Sequence, residues 1–241
     1  MKIEVRDLHR RFGENQVLRG IDLEIPPQRN TFIVGGSGCG KSVFLKHLIG
    51  LLKPDRGQVL IDGQDIAPIP ERHLSPIRRR FGMVFQGGAL LNSLSVGQNV
   101  ALGLREQRRH SRRRLEDIVA ENLELVGLAG KEGEMPSNLS GGMRKRVAIA
   151  RALAMDPEVF LYDEPTTGLD PPIASTIDNL IVELADRLKK TTVVVTHDLV
   201  SIFSIAHHVA MIHEGRVIFR GTPDEMRRDP QEVVQRFIAR R

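Results

Sequence analysis

Two glycine-rich segments and one pair of adjacent carboxylates hold the residue types and spacings that could do chemistry in this chain. Gly35-Gly36-Ser37-Gly38-Cys39-Gly40-Lys41-Ser42 fits G-x-x-x-x-G-K-[ST] at every fixed position. Glycines let backbone N–H groups turn inward around an anion, and a helix starting near Gly40 would add positive potential from its N-terminus. Lys41 is the loop's fixed cation and would contact terminal phosphates, with the Ser42 hydroxyl on Mg²⁺. Val43 opens the apolar helical stretch 43–49 that follows. Further along, the apolar run 159–162 delivers Asp163 and Glu164 at its C-terminal end. In parallel α/β sheets that edge binds ligands. Asp163 is therefore predicted to hold Mg²⁺ through water, and Glu164 to take a proton from an attacking water. Tyr162, the only tyrosine, is expected in the core.

Leu139-Ser140-Gly141-Gly142 opens a second helical stretch, 143–155, whose free N–H groups would form a second anion site. The first loop already encloses the phosphates it binds. A second nest calls for a second nucleotide, most simply one held by another subunit. Two single residues fall at the ends of apolar runs: Gln86 after 80–85, and His197 after 192–196, where an imidazole would reach a terminal phosphate.

In this order, the residues resemble the nucleotide-binding subunit of an ABC ATPase, and the resemblance runs from about residue 12 to residue 221. It implies ATP and Mg²⁺ as ligands, and a head-to-tail dimer with two sandwiched nucleotides. Ser140, Gly141 and Gly142 would close on the ATP of a second copy. Gln86 looks like the glutamine that contacts Mg²⁺ and the attacking water while sensing a membrane subunit. Asp170 resembles the dimer-interface loop aspartate. Phe12 sits where an aromatic stacks on adenine, in company with Gly35, Gly36, Ser37, Gly38, Cys39, Gly40, Lys41, Ser42 and Val43 around the nucleotide. The implied catalytic set is Glu164, His197, Gln86 and Lys41; the implied metal set is Ser42, Gln86 and Asp163. Met143 departs from the family's usual glutamine, but backbone N–H groups and Ser140 would carry the phosphate contact.

Cargo is approached through Phe85-Gln86-Gly87-Gly88-Ala89-Leu90-Leu91, Ser95-Val96-Gly97-Gln98-Asn99-Val100 and the signature with Met143. These look like the ATPases of Mla/MCE-type systems, which move phospholipids, steroids or organic solvents across the bacterial envelope. The resemblance implies an integral-membrane permease, an MCE-domain substrate-binding protein and a small accessory subunit as partners. It places the chain peripherally at the cytoplasmic face of the inner membrane. One alternative is the ATPase of a polar-substrate importer, for instance for amino acids. Another is a non-transport ABC ATPase acting on DNA or ribosomes, whose coiled coils or fused second ATPase domain have no counterpart here.

The elements that must position these residues are short β-branched runs alternating with helical segments, which argues for βα units and a buried parallel sheet. Residues 2–6 and 16–25 alternate like antiparallel strands, and 58–61 leads into the turn pair Asp62-Gly63. From about 95 to 155 the periodicity becomes helical, with Leu115, Ile118, Val119, Leu123 and Val126 in one stripe ended by Gly127. The expectation is an α/β P-loop NTPase of ABC type: a mainly parallel core sheet, an N-terminal antiparallel β layer and an inserted α-helical lobe. It would be one domain over 1–241, with 1–94 and 156–241 as catalytic core and C-terminal elements and 95–155 as the lobe. Residues 229–241 read as a short amphipathic helix.

At 241 residues and 41% hydrophobic, the chain can bury a large core. No apolar run approaches the roughly 18 residues of a membrane span. The first twelve residues lack a signal-peptide core, and a single cysteine excludes an internal disulfide, which suits a cytoplasmic protein. Cys39 lies at a helix N-terminus, where a thiol pKa tends to fall. The net charge of +5 is concentrated in Arg78, Arg79 and Arg80 and in Arg105, Arg108, Arg109, Arg112, Arg113 and Arg114. A solvated face is expected there, with anionic lipid headgroups as the alternative. Nucleic acid is not expected as a partner, because no aromatics interleave with the arginines.

Overall fold

The structure, a computed structural model, describes residues 1–107 and 109–239. The chain begins β1 (Ile3–Phe12), β2 (Asn15–Ile25), β3 (Asn30–Val34), α1 (Lys41–Leu48), β4 (Arg56–Ile61), β5 (Gln64–Asp65), α2 (Ser75–Arg78) and β6 (Phe81–Val84). Four helices follow: α3 (Val96–Val100), α4 (Leu102–Gln107), α5 (Arg112–Leu125) and α6 (Gly141–Leu153). The remainder is β7 (Val159–Asp163), α7 (Pro171–Leu188), β8 (Thr191–Thr196), α8 (Leu199–Ile205), β9 (His208–His213), β10 (Arg216–Gly221), α9 (Pro223–Arg228) and α10 (Glu232–Ile238).

Two sheets result. One is antiparallel, in the order β2-β1-β4-β5; the other has the order β10-β9-β3-β8-β7-β6, parallel except where β10 pairs antiparallel to β9. The architecture is the α/β one expected, a mainly parallel core sheet with an antiparallel layer and a helical stretch between β6 and β7. The strand at 2–6 extends to Phe12, and the tail helix is shorter than 229–241. Strands β9 and β10 were not anticipated: His208 and His213 flank the apolar residues of β9, and β10 carries Arg216 and Arg220.

Alternation along the central strands sorts side chains between two cores. Ile33, Val159, Leu161, Val193 and Val195 pack with Phe44, Leu45 and the antiparallel sheet. Phe32, Val34, Phe160, Tyr162 and Val194 pack on the opposite side with Leu123, Val147 and Ile177. Each fully buried side chain of this size contributes about 1.5–3 kcal/mol. Tyr162 is buried and stacks on Phe160 at 6.0 Å between ring centroids. The helical stripe holds too: Ile118, Val119, Leu123 and Val126 are buried against α6 residues, with Leu115 at the margin.

Parallel pairing in the order β3-β8-β7-β6 puts four C-terminal ends on one edge. Val34 is level with Thr196, Val195 with Asp163, and Tyr162 with Val84. The residues following those ends are the first glycine loop, His197, Glu164 and Gln86.

The arginines divide. Arg105, Arg109, Arg112, Arg113 and Arg114 are exposed as expected, and Arg108 lies outside the described residues. Arg78 and Arg80 correct that reading. Arg78 donates to the carbonyls of Ile49 (3.0 Å) and Gly50 (2.9 Å) and pairs with Glu71. Arg80 bridges Glu158 and Asp62, tying β6 to the turn after β4. Both are structural clamps, because backbone carbonyls and carboxylates from other elements converge on them. Among the described residues, no helix is long and apolar enough to cross a membrane.

Candidate ATP site

The first glycine loop leaves β3 and enters α1, whose N-terminus carries no side-chain cap. By contrast, one N–H at the start of α6 and one at the start of α7 are capped, by Ser140 and Asp170. An uncapped, glycine-lined helix start leaves its donors for an anionic ligand. Gly35 is required where it stands: its φ is 149°, and a Cβ there would lie 2.2 Å from the Ile212 carbonyl oxygen. Lys41 is buried, and its Nζ donates to the carbonyls of Gly35 (2.9 Å) and Gly36 (3.0 Å) while standing 3.9 Å from Glu164 Oε1. Its charge thus faces the space the loop encloses.

Across the loop, Ser42 Oγ donates to Asp163 Oδ1 at 2.7 Å, joining residues 121 positions apart. Glu164 is buried in a left-handed backbone conformation, φ 49°, fixed by its N–H to Val195 O at 2.9 Å. A non-glycine residue there stores backbone strain of the sort that gathers at functional sites. Its carboxylate takes two partners: Thr167 Oγ1 at 3.0 Å on Oε2 and His197 Nδ1 at 2.9 Å on Oε1. With Nδ1–H donating to the carboxylate, His197 Nε2 is left facing the cleft.

Phe12, Lys41, Ser42, Gln86, Glu164 and His197 line one cleft of about 340 Å³. Phe12 is 43% exposed at the end of β1 with the Arg10 guanidinium 4.7 Å from its ring centroid, so it is not a core residue. A larger cleft, about 650 Å³, lies on the other side of the loop against α10, among Met211, Val233 and Phe237. His213 and Glu214 line it, but none of Lys41, Glu164 and His197 does. The smaller cleft is the one that gathers the acid–base residues expected from the sequence. Cys39 corrects an expectation: burial pushes its thiol up, outweighing the nearby Lys41, which pulls it down.

Ser140 and Asp170 each stand at a helix start, Ser140 at α6 in the lobe and Asp170 at α7 after β7. Ser140 Oγ accepts from the Met143 N–H at 3.3 Å, and Asp170 Oδ1 from the Ile173 N–H at 3.1 Å. Ser140 therefore caps its own helix in this structure. Gly142 packs closely on α7: a Cβ there would lie 2.6 Å from Ile173 Cγ2, so any larger residue requires the Ile173 side chain to move. The signature turn and the Asp170 loop are thus in direct contact within one chain.

Four further residues support the site, and of these only Asn99 falls in a stretch singled out in the sequence, 95–100. Lys145 is buried and donates to the carbonyls of Gln86 and Glu164. Arg151 donates to Gly88 O and Ala89 O, both at 2.7 Å. Asn99 accepts from the Leu91 N–H at 2.8 Å, and its amide nitrogen lies 3.0 Å from each of three carbonyls, those of Leu91, Leu94 and Ser95. Thr167 holds Glu164. One signal was available: Lys145 is in helical register with Ala148, Ile149 and Ala152, all buried. A cation in that stripe needs a partner.

A parallel-sheet P-loop fold with a second glycine turn and a strand-end Asp-Glu-His cluster defines an ATPase of the ABC class. The ABC transporter family model matches residues 18–167, and the chain belongs to that family. It is 39% identical over 236 residues to the "Probable ribonucleotide transport ATP-binding protein mkl" of Mycobacterium leprae, covering 98% of this chain and 68% of that protein. It is equally 39% identical to the "Intermembrane phospholipid transport system ATP-binding protein MlaF" of Haemophilus influenzae, covering 98% and 89%. The dimeric post-hydrolysis structure of the ATP-binding cassette MJ0796 with ADP and Pi superposes with a TM-score of 0.82 at 33% identity, covering 92% of this chain and 98% of that one. The chain spans about two thirds of the mycobacterial relatives' length. As a member of this family it binds ATP and hydrolyses it.

Proposed function

We propose that this chain is the ATP-hydrolysing subunit of a transporter that moves phospholipid or similarly hydrophobic cargo across a bacterial inner membrane and envelope. The carrying observation is the convergence of Lys41, Ser42, Asp163, Glu164, Gln86 and His197 at one sheet edge. The chain is one ATPase domain, with residues 1–94 and 156–241 as its core and 95–155 as its helical lobe. Gly35 to Val43 cradle the phosphates, and Lys41 exchanges its loop carbonyls for phosphate oxygens. Phe12 offers an exposed ring for adenine to stack upon. Glu164 accepts the proton of the attacking water, oriented by Thr167 and His197, and His197 Nε2 faces the terminal phosphate. Gln86 helps place that water.

Ser42, Asp163 and Gln86 form an all-oxygen set that suits Mg²⁺, which keeps waters and phosphate oxygens among its ligands. Among the described residues, no cluster of three His, Cys, Asp or Glu side chains competes as a metal cage. When bound, the ion neutralises charge on the phosphates.

Ser140, Gly141 and Gly142 complete the site of a second copy. Ser140 Oγ takes only the Met143 N–H of this helix start, so the N–H groups of Gly141 and Gly142 are the donors offered to a phosphate. An integral-membrane permease docks on the segment from Gln86 to Asn99, whose backbone Lys145, Arg151 and Asn99 tie to the lobe. This places the chain peripherally at the cytoplasmic face of the inner membrane. An MCE-domain protein and a small accessory subunit complete the assembly.

The names of the mycobacterial relatives favour a second reading, a polar ribonucleotide-like cargo. Co-purification from detergent-solubilised membranes, followed by reconstitution with labelled phospholipid or labelled nucleotide, tests both. ATP-dependent movement of lipid between vesicles is expected. Movement of nucleotide alone overturns the lipid reading.

A further inference from the structure

Behind the His197 turn, two carboxylates share one hydroxyl. Asp178 on the buried face of α7 and Ser201 on α8 are 6% and 2% exposed. Ser201 Oγ makes a short hydrogen bond with Asp178 Oδ2 and lies 3.1 Å from Asp198 Oδ2. Asp198 follows His197 directly and caps α8, accepting from the Val200 N–H at 2.9 Å, while its own N–H donates to Thr196 Oγ1 at 3.0 Å. Among the described residues no lysine, arginine or histidine of α6, α7, α8 or α9 pairs with Asp178; the one charged group acting on it is Asp198.

The proton count decides the protonation state. A serine hydroxyl has one hydrogen to give. Two ionised carboxylates cannot both receive it, and the one left out would set its oxygen against the hydroxyl's lone pairs at hydrogen-bond distance. Every contact is satisfied only if one carboxyl carries a proton. Asp198 is partly exposed and accepts a backbone N–H as a helix cap, so it is the anion. Asp178 is buried beside that anion and is the acid.

We propose that Asp178 is a proton-dependent positioning residue: when it is protonated, its O–H donates to Ser201 Oγ and the Ser201 O–H donates to Asp198, tying α7 to the turn that carries His197. Its effect on hydrolysis rests on the catalytic reading of His197 above; its protonation does not. Burial, reinforced by Asp198, pushes the Asp178 carboxyl up to about 6. Asp170 caps the N-terminus of α7, the same helix that carries Asp178. Loss of the proton leaves two anions around one hydroxyl and loosens the His197 turn.

The test compares wild type with Asp178→Asn, which keeps a neutral donor, first in nucleotide-free thermal melts from pH 5 to pH 8. An acid whose folded pKa is raised binds its proton more tightly when folded. Wild-type stability therefore falls as pH rises from roughly 4 to 6, a loss the variant does not share. The expected result is a higher melting temperature for Asp178→Asn at pH 8, with the gap closing towards pH 5. A variant less stable than wild type at pH 8, with the gap narrowing as pH falls, is the pattern of an ionised carboxylate held by donors and overturns the proposal. Infrared spectra at pH 5 should show a protonated-carboxyl band that Asp178→Asn removes; its absence from wild type overturns the proposal independently. In ATP turnover, the ratio of variant to wild type should rise from pH 6 to pH 8. An unchanging ratio overturns the positioning role, and if His197→Ala also keeps full turnover, the failure lies in the reading of His197.

Discussion

Glu164 is held by Thr167 and His197 on its two oxygens, with its backbone in a strained conformation pinned to β8. Glu164→Gln preserves the shape and the acceptor for His197 but cannot take a proton. Turnover should fall roughly 10²–10⁴-fold, which is about 3–5 kcal/mol of barrier. ATP affinity should stay near wild type, because no phosphate contact changes. Single-turnover hydrolysis beside equilibrium nucleotide binding checks this. Normal turnover, or a milder effect of Glu164→Gln than of Asp163→Asn, would show the two carboxylate roles to be misassigned. Cys39 permits a second prediction. Burial raises its pKa, so at neutral pH it is held as thiol, which is not the nucleophilic form. Alkylation by iodoacetamide should be slow at pH 7, accelerate as pH rises past the ordinary thiol range, and be blocked by ATP. Rapid labelling at pH 7 would contradict the burial argument.

The loop from Gln86 to Leu94 depends on the helices around it. Lys145 and Arg151 reach it from α6 and Asn99 from α3, so the helix that begins with the signature turn also holds the glutamine loop. Lys145→Met would leave the part-buried Gln86 carbonyl without this donor and the Glu164 carbonyl with the Thr167 N–H alone, at a cost of about 1–3 kcal/mol. Denaturant unfolding should show that loss, and hydrolysis should fall with it. Within the loop, adjacent leucines divide: Leu90 packs on the lobe core, whereas Leu91 is 45% exposed. Leu91→Glu should leave stability within about 0.5 kcal/mol of wild type and leave isolated ATPase activity intact, yet abolish pull-down of the membrane subunit. Leu90→Glu should cost stability that Leu91→Glu does not, since it sets a charge against the partly buried edge of the lobe core. Retained pull-down with Leu91→Glu would remove this segment from the permease interface.

For the molecule as a whole, the first glycine loop and the signature turn each offer backbone donors, and one chain has use for only one set around its own nucleotide. Mixing Lys41→Ala subunits with Ser140→Arg subunits should restore partial ATPase activity. The mixed dimer then contains one composite site with both elements intact and one with both defective. Either homodimer should be nearly inactive. Full activity of Ser140→Arg alone would reduce the Ser140 turn to the helix cap it forms within one chain. Gly142 and Ile173 touch at the base of that turn, so closure at the signature would be felt at the start of α7.

The motif residues were legible before any coordinates because phosphate and proton chemistry demands particular types in a short stretch. Gly35 to Ser42 and the Asp163–Glu164 pair each act as local units, and the alternation of β-branched runs with helical stripes was enough to indicate a parallel sheet with an inserted lobe. What periodicity reports is which face of an element is buried, not which strand lies beside it. The order β3-β8-β7-β6, which brings Ser42 within 2.7 Å of Asp163, arises from backbone hydrogen bonds that every residue type can make. Strands β9 and β10 escaped notice for a related reason, since charged and imidazole side chains at their ends blur the apolar pattern. Arg78 and Arg80 read as surface charge until distant carbonyls and carboxylates met them. Asp178, Ser201 and Asp198 form a unit only because α7 packs on α8. A proton shared among three side chains from two helices and a turn is a property of their distances, and a linear string of residues does not contain those distances.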